Sequence, residues 1–221
     1  NEIALVTLAP ELPGAIAVIN RLRELNIVVS LGHSSADAHI ARLAFNQGVS
    51  MITHTCNAMP GLHHRAPGPI GEALINGQIS LGLIADGIHV HPDIAVLLQR
   101  LAPNKLVLVS DAISPYGLKD GRYKWDKRLI ESNKGYCRLD DGTLVGVSLP
   151  LLETCKRLSN WGGHLGSAIW SATIAPRQVL STKDLIIHEY LIGKSLNKLL
   201  RWQTNNVHNQ PFWHFAHSIH D

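Results

Sequence analysis

Five times along this chain an apolar, β-branched run stops abruptly in a short polar segment. Residues 3–8 run into Ala9-Pro10-Glu11, residues 27–31 into Gly32-His33-Ser34, and Met51-Ile52 into Thr53-His54-Thr55-Cys56-Asn57-Ala58-Met59. Residues 81–85 then lead to Asp86-Gly87-Ile88-His89, and residues 105–109 to Ser110-Asp111-Ala112. Near-continuous apolar runs are the mark of parallel strands covered on both faces. Between them the apolar period changes to that of a helix. Residues 13–25 place Ile16, Ile19, Leu22 and Leu25 along one face. Ser34 or Ser35 is positioned to cap a helix reaching about Phe45, with Gly48 as its stop. Residues 69–76 and 92–101 read as two more helices, the second with Pro92 in its first turn. Strand starts thus recur near residues 3, 27, 49, 80 and 105, the rhythm of repeated βα units joined by right-handed crossovers. The fold class is α/β.

Beyond Asp111 the texture changes. Residues 114–142 are rich in Gly, Lys, Arg and Asp and read as a long functional loop with short strands, Asp140-Asp141-Gly142-Thr143 being a turn. Helices are expected at 150–161 and 167–180. The stretch 181–221 carries Trp202, Trp213 and several irregularly spaced histidines, which suit a surface or interface better than a metal. The expected division is a catalytic domain over 1–180 and a C-terminal segment over 181–221.

Composition narrows the classes. At 221 residues, 45% hydrophobic and 17% charged, the chain has the makings of a substantial core. A net charge of +3, with Lys and Arg scattered, argues against nucleic acid. No apolar stretch is long enough for a membrane span. Cys56, Cys137 and Cys155 form no CxxC pair, which points to a reducing, cytoplasmic setting rather than a disulfide scaffold or a thiolate zinc site. The chain is already in a strand by Ile3, so it is expected to be part of a longer protein.

The polar segments carry the candidate chemistry. His33 and His54 end consecutive βα units, and neutral imidazole is the commonest protein ligand for zinc. One histidine after a strand is ordinarily a loop or capping residue; two in neighbouring units, with His89 and Asp111 in the next two, favour a shared metal. Asp111 would then take a proton from a water acidified by the metal and return it to a leaving group. There is no GxSxG elbow, no GxGxxG and no phosphate-binding P-loop.

Taken together the motifs resemble a known family. Leu8-Ala9-Pro10-Glu11, Gly32-His33-Ser34, Thr53-His54-x-x-Asn57-Ala58-Met59, His64-Arg65-x-Pro67-Gly68, Asp86-Gly87-x-His89, Ser110-Asp111-Ala112 and Gly142-Thr143-Leu144-Val145-Gly146 are similar, in order, to the N-acetylglucosamine-6-phosphate deacetylases of the amidohydrolase superfamily. The resemblance implies a TIM-like (β/α)8 barrel with a small β domain, hydrolysing the acetamide of N-acetylglucosamine 6-phosphate to glucosamine 6-phosphate and acetate. It makes His33 and His54 ligands of a divalent metal, usually Zn2+, and Asp111 the general base and then acid. His89 would contact the substrate and help polarise its carbonyl. Asn57, the Ala58 backbone and Arg65 would hold the sugar phosphate, and the backbone of Leu144, Val145 and Gly146 would line the sugar. Glu11 is read as structural. A homodimer is implied for the full-length protein.

The pattern also breaks. The family's metal-binding glutamate, in a His-x-Glu-Gly-Pro motif one strand before Leu8, is missing, so the chain is expected to hold strands four to eight only, with two open parallel edges. Val147 stands where Ser or Thr is frequent, and Cys56 where an aromatic residue is frequent. A non-catalytic remnant of the family and an amidohydrolase acting on a cyclic amide are the alternatives.

Overall fold

The computed structural model describes residues 3–162 and 164–180, together with the backbone of two further strands, 200–204 and 211–215. The chain divides into two compact units, Asn1–Leu180 and Ser181–Asp221. The first opens with four βα repeats and a fifth strand: β1 (Leu5–Leu8), α1 (Ala15–Glu24), β2 (Val28–Leu31), α2 (Ala38–Asn46), β3 (Met51–Ile52), α3 (Gly68–Asn76), β4 (Ser80–Leu83), α4 (Pro92–Leu101) and β5 (Leu106–Leu108). All five strands pair in parallel and in sequence order, β1-β2-β3-β4-β5. These are the strands expected from the apolar runs.

Local signals explain the repeats. After α1, Asn26 takes a left-handed φ of 56°, while the Ile27 N–H donates to the Leu22 carbonyl at 2.9 Å. Asparagine tolerates that conformation at a helix C-terminus, and the turn delivers the chain directly into β2. Gly48, at φ 106°, does the same between α2 and β3. The start of α2 differs from expectation: Asp37, not Ser34 or Ser35, is its N-cap, accepting from the Ile40 N–H at 2.8 Å. The two serines are engaged elsewhere, as described below.

The two faces of the parallel sheet differ chemically. One presents Val29, Leu31, Ile52, Leu81, Leu83, Leu106 and Leu108, all buried. The other carries small and hydroxyl-bearing residues, with Thr53 Oγ1 2.6 Å from Ser30 Oγ and 2.9 Å from Thr7 Oγ1. On this second face Met51 and Val107 pack with Ala175, and Trp170 and Val179 are set against them. Those last three residues belong to α6 (Leu165–Leu180), which follows α5 (Leu151–Asn160).

Between β5 and α5 the expected loop with short strands is a four-stranded antiparallel sheet, β6 (Gly121–Trp125), β7 (Arg128–Asn133), β8 (Tyr136–Leu139) and β9 (Leu144–Val147). Sheet pairing was obscured in the sequence because the alternation of exposed and inward residues, as in Gly121–Trp125, leaves few consecutive apolar positions. The second unit contributes an antiparallel pair, β10 (Leu200–Thr204) and β11 (Pro211–Phe215). The expectations for the histidine-rich tail otherwise fall outside the described residues. Among the described residues no helix is long and apolar enough to cross a membrane.

Leu83 is fully buried while Ile75 is 77% exposed. Leu83→Ala should therefore cost about 2–5 kcal/mol and Ile75→Ala less than about 0.5 kcal/mol, as read by urea unfolding.

Candidate active site at the strand ends

Because the five strands are parallel, their C-terminal ends lie along one edge of the sheet, and each leads into a polar segment. Glu11 follows β1, His33 follows β2, His54 follows β3, Asp86 follows β4 and Asp111 follows β5. His33, His54 and Asp111 take left-handed φ values of 49°, 30° and 51°, as do Cys56 (80°) and Ala58 (50°). Left-handed backbone at a non-glycine residue costs of order 1–3 kcal/mol and gathers at functional sites. Here it turns each side chain sharply off its strand.

His33 and His54 are brought together, Nε2 to Nε2, at 2.9 Å, with their rings 4.7 Å apart between centroids and nearly perpendicular. Burial, and then the neighbouring imidazole of His33, depress the His54 pKa, so His54 is neutral at pH 7. Its Nδ1 is buried with no hydrogen-bond partner among the described residues. Two imidazoles whose Nε2 atoms approach this closely are the kind of donors a divalent cation takes, so these residues fit two positions of a metal site. Among the described residues no group of three His, Cys, Asp or Glu side chains could hold a metal. The Asp111 carboxylate is exposed and lies near enough to His54 to favour its protonated form electrostatically.

The surrounding loops hold this edge in place. Asn57 Nδ2 donates to the carbonyls of His54 (3.2 Å) and Thr55 (3.4 Å), and the Ser34 N–H donates to the Ala58 carbonyl at 3.0 Å. β9 docks beside Asp111: the Val147 N–H donates to the Asp111 carbonyl and the Ile113 N–H to the Val147 carbonyl, both at 3.0 Å. Gly146 is thereby placed next to Asp111, where a Cβ on it would meet the Asp111 carbonyl oxygen at 2.9 Å, and Leu144 and Gly146 are paired to β8. Arg65 is exposed and makes a side-chain contact with His64, Nη1 to Nε2 at 2.8 Å.

Glu11 bridges β1 to the loop after β2. Ser34 Oγ donates to it at 2.6 Å, the Ser35 N–H at 2.7 Å and Ser35 Oγ at 3.1 Å. Burial opposes its ionisation, but these donors outweigh it and hold the carboxyl below its ordinary value.

Two residues escaped the reading of the sequence. A Cβ on Gly82 would meet the Ile52 carbonyl oxygen at 2.9 Å and the His54 backbone nitrogen at 3.2 Å, so only glycine lets β4 lie this close to the His54 turn. Asp86, which caps the turn carrying His89, is the other; the spacing Asp86-Gly87-Ile88-His89 was its signal.

Fold and site define a βα-repeat protein whose imidazoles and carboxylates collect at one sheet edge. Comparison with known proteins narrows this. No protein-family model matches the chain. It is 35% identical, over 96% of its length and 56% of the relative's, to the N-acetylgalactosamine-6-phosphate deacetylase of Escherichia coli O157:H7. It is 40% identical, over 71% of its length and 40% of the relative's, to the N-acetylglucosamine-6-phosphate deacetylase of Bacillus subtilis. The structure of the N-acetylglucosamine-6-phosphate deacetylase of Thermotoga maritima superposes with a TM-score of 0.76 at 31% identity, covering 81% of this chain and 50% of that one. A Mycobacterium smegmatis homologue, an aspartate-to-alanine variant in complex with N-acetyl-D-glucosamine 6-phosphate, superposes with a TM-score of 0.74 at 27% identity, covering 80% of this chain and 48% of that one. The chain is homologous to the N-acetylhexosamine-6-phosphate deacetylases, as a partial chain that spans about half the length of these relatives.

Gly82→Ala should displace the His54 turn and cost about 1–3 kcal/mol, seen as a shifted His54 ring resonance together with a lower urea midpoint. Glu11 titrates below its unfolded value of 4.5. Its stabilising contribution is therefore full above that pH and lost as the pH falls through the lower folded value. Glu11→Gln should flatten the acid limb of a stability-against-pH curve and leave its shape above neutrality unchanged.

Proposed function

We propose that the chain is the C-terminal part of a metal-dependent deacetylase acting on N-acetyl-D-glucosamine 6-phosphate, releasing acetate and D-glucosamine 6-phosphate. The observation that carries this is the convergence of His33 and His54 at 2.9 Å on the strand-end edge, in a chain homologous to deacetylases. On this reading β1–β5 are strands four to eight of a (β/α)8 barrel, and its mouth is the edge bearing His33, His54, His89 and Asp111.

His33 and His54 would hold a divalent cation, with zinc the best match to paired imidazoles. When bound, the cation supplies Lewis acidity, acidifying a water and polarising the acetamide carbonyl. The chain's own groups do the rest. Asp111, exposed and free of side-chain partners among the described residues, accepts the proton of the attacking water and delivers it to the departing amine. His89 meets the substrate. Asn57, the Ala58 backbone and Arg65 recognise the sugar phosphate, the guanidinium offering a bidentate fork to phosphate oxygens. Backbone groups of Leu144, Val145 and Gly146, the last of them beside Asp111, line the sugar.

N-acetyl-D-galactosamine 6-phosphate is the second substrate to consider, because the relative matching 96% of the chain is named for it. The two sugars differ only in the configuration of one ring hydroxyl.

The test measures bound zinc and acetate release from both sugar phosphates, using this chain and a chimera that adds the N-terminal half of the Bacillus subtilis relative. We expect zinc and acetate release in the chimera, with N-acetylglucosamine 6-phosphate turned over faster. No acetate from either substrate in a zinc-loaded chimera would refute the assignment. In the active form Asp111→Asn should keep its metal and lose about a hundredfold or more in kcat, the scale of a general acid–base. Loss of metal in that variant would contradict the role.

A further inference from the structure

Asp86 belongs to no part of the mechanism above, yet it is among the most enclosed charged side chains at the strand-end edge, 1% exposed. One of its oxygens accepts from the backbone N–H groups of Ile88 (2.9 Å) and His89 (2.8 Å), closing the turn after β4. The other lies 2.6 Å from His89 Nδ1. Burial alone would push the Asp86 carboxyl up, but the His89 ring and the two backbone donors outweigh it and hold the carboxyl below its ordinary value. The group is a carboxylate and can only accept. The proton in the Asp86–His89 bond therefore sits on Nδ1, and Nε2 is the nitrogen left over. The His89 side chain is itself only 5% exposed, and its Nε2 has no hydrogen-bond partner among the described residues.

The turn is also braced from behind by α5. Arg157 Nη1 donates to the Asp86 carbonyl at 2.7 Å. The ring of Trp161 lies so close to Gly87 that a Cβ there would meet it at 3.1 Å. Side chain and backbone of Asp86 are thus both fixed, one by the turn and His89, the other by a helix more than sixty residues later in the chain.

We propose that Asp86 is a positioning residue that holds His89 as the Nδ1-protonated form and presents its Nε2 to the N-acetylhexosamine phosphate. The proposal rests on the deacetylase reading for the identity of the substrate, and on the Asp86–His89 geometry for everything else. A carboxylate behind a histidine fixes both ring orientation and tautomer. Free neutral histidine favours the opposite tautomer, with the proton on Nε2. With Asp86 in place, Nε2 of the neutral ring meets the substrate as an acceptor, suited to a sugar hydroxyl and not to polarising the carbonyl as the resemblance implied; without Asp86 that nitrogen would become a donor.

The experiment is a long-range 1H–15N correlation spectrum of the 221-residue chain labelled with 15N-histidine, with His89 assigned by its loss in His89→Gln. The unsubstituted chain should show His89 protonated at Nδ1. In Asp86→Asn the amide oxygen can keep the two backbone donors while the amide NH2 faces Nδ1, so the ring proton should move to Nε2 with the backbone amide spectrum preserved. A His89 protonated on Nε2 alone in the unsubstituted chain overturns the proposal, and this result decides even where the variant does not fold. An unchanged tautomer in folded Asp86→Asn overturns it as well. Addition of N-acetylglucosamine 6-phosphate should shift the Nε2 resonance. An unmoved Nε2 beside a confirmed tautomer refutes the part addressed to the substrate, and with it counts against the deacetylase reading rather than against the Asp86–His89 pair.

Discussion

Parallel pairing of β1 to β5 is the constraint on which the rest of the protein depends. Parallel strands need a crossover between every pair, so each strand must end on the same edge of the sheet. That geometry takes Glu11, His33, His54, Asp86 and Asp111, spread over a hundred residues of sequence, and sets them in a row. An antiparallel arrangement of the same strands would have sent alternate residues to opposite edges. The buried aliphatic face of the sheet stabilises this pairing, since Val29, Leu31, Ile52, Leu81, Leu83, Leu106 and Leu108 are all removed from water. The other face, narrowed by Ser30, Gly82 and the hydroxyls of Thr7 and Thr53, leaves room for close approach of backbone and loops.

Order at the edge is maintained against local backbone preference. His33, His54, Ala58 and Asp111 sit in left-handed conformations that their own side chains disfavour. Each is held by bonds from outside its own turn. The Thr55 N–H donates to the Gly82 carbonyl at 2.6 Å, the Ser34 N–H to Ala58, and the Val147 N–H to Asp111. The strain is thus supported by neighbours in other repeats, which is how a site can be rigid without being locally favourable. The Asp86–His89 pair follows the same logic, its support coming from α5.

Much of this was legible in the sequence. Strand positions followed from β-branched runs, because a strand covered on both sides has no polar face to interrupt it. The helices between them followed from the 3.6-residue period, and the strand-end residues from their place after each run. Asp37 as the cap of α2 was not legible, since Ser34, Ser35 and Asp37 are all able to cap; the choice fell to Asp37 because Glu11, distant in sequence, engages both serines. The sheet β6–β9 was hidden by its alternation of exposed and inward residues. Packing of Ala175 and Trp170 from α6 against Met51 and Val107 carries no signature in the α6 sequence, whose apolar residues would suit either face.

The division between the two levels is physical. Sequence by itself determined what is set by neighbours along the chain: the period of each element, the αL turns at Asn26 and Gly48, and which polar residues follow each strand. It also carried the order of motifs that aligns this chain with part of the deacetylases. Tertiary structure alone decided what depends on pairing between distant segments. That the Nε2 atoms of His33 and His54 approach to 2.9 Å depends on the register of β2 against β3. That Asp111 lies beside Gly146 depends on β9 docking at the end of β5. The tautomer of His89 depends on a carboxylate whose charge is a property of its buried surroundings, and those surroundings are assembled only when α5 closes behind the β4 turn.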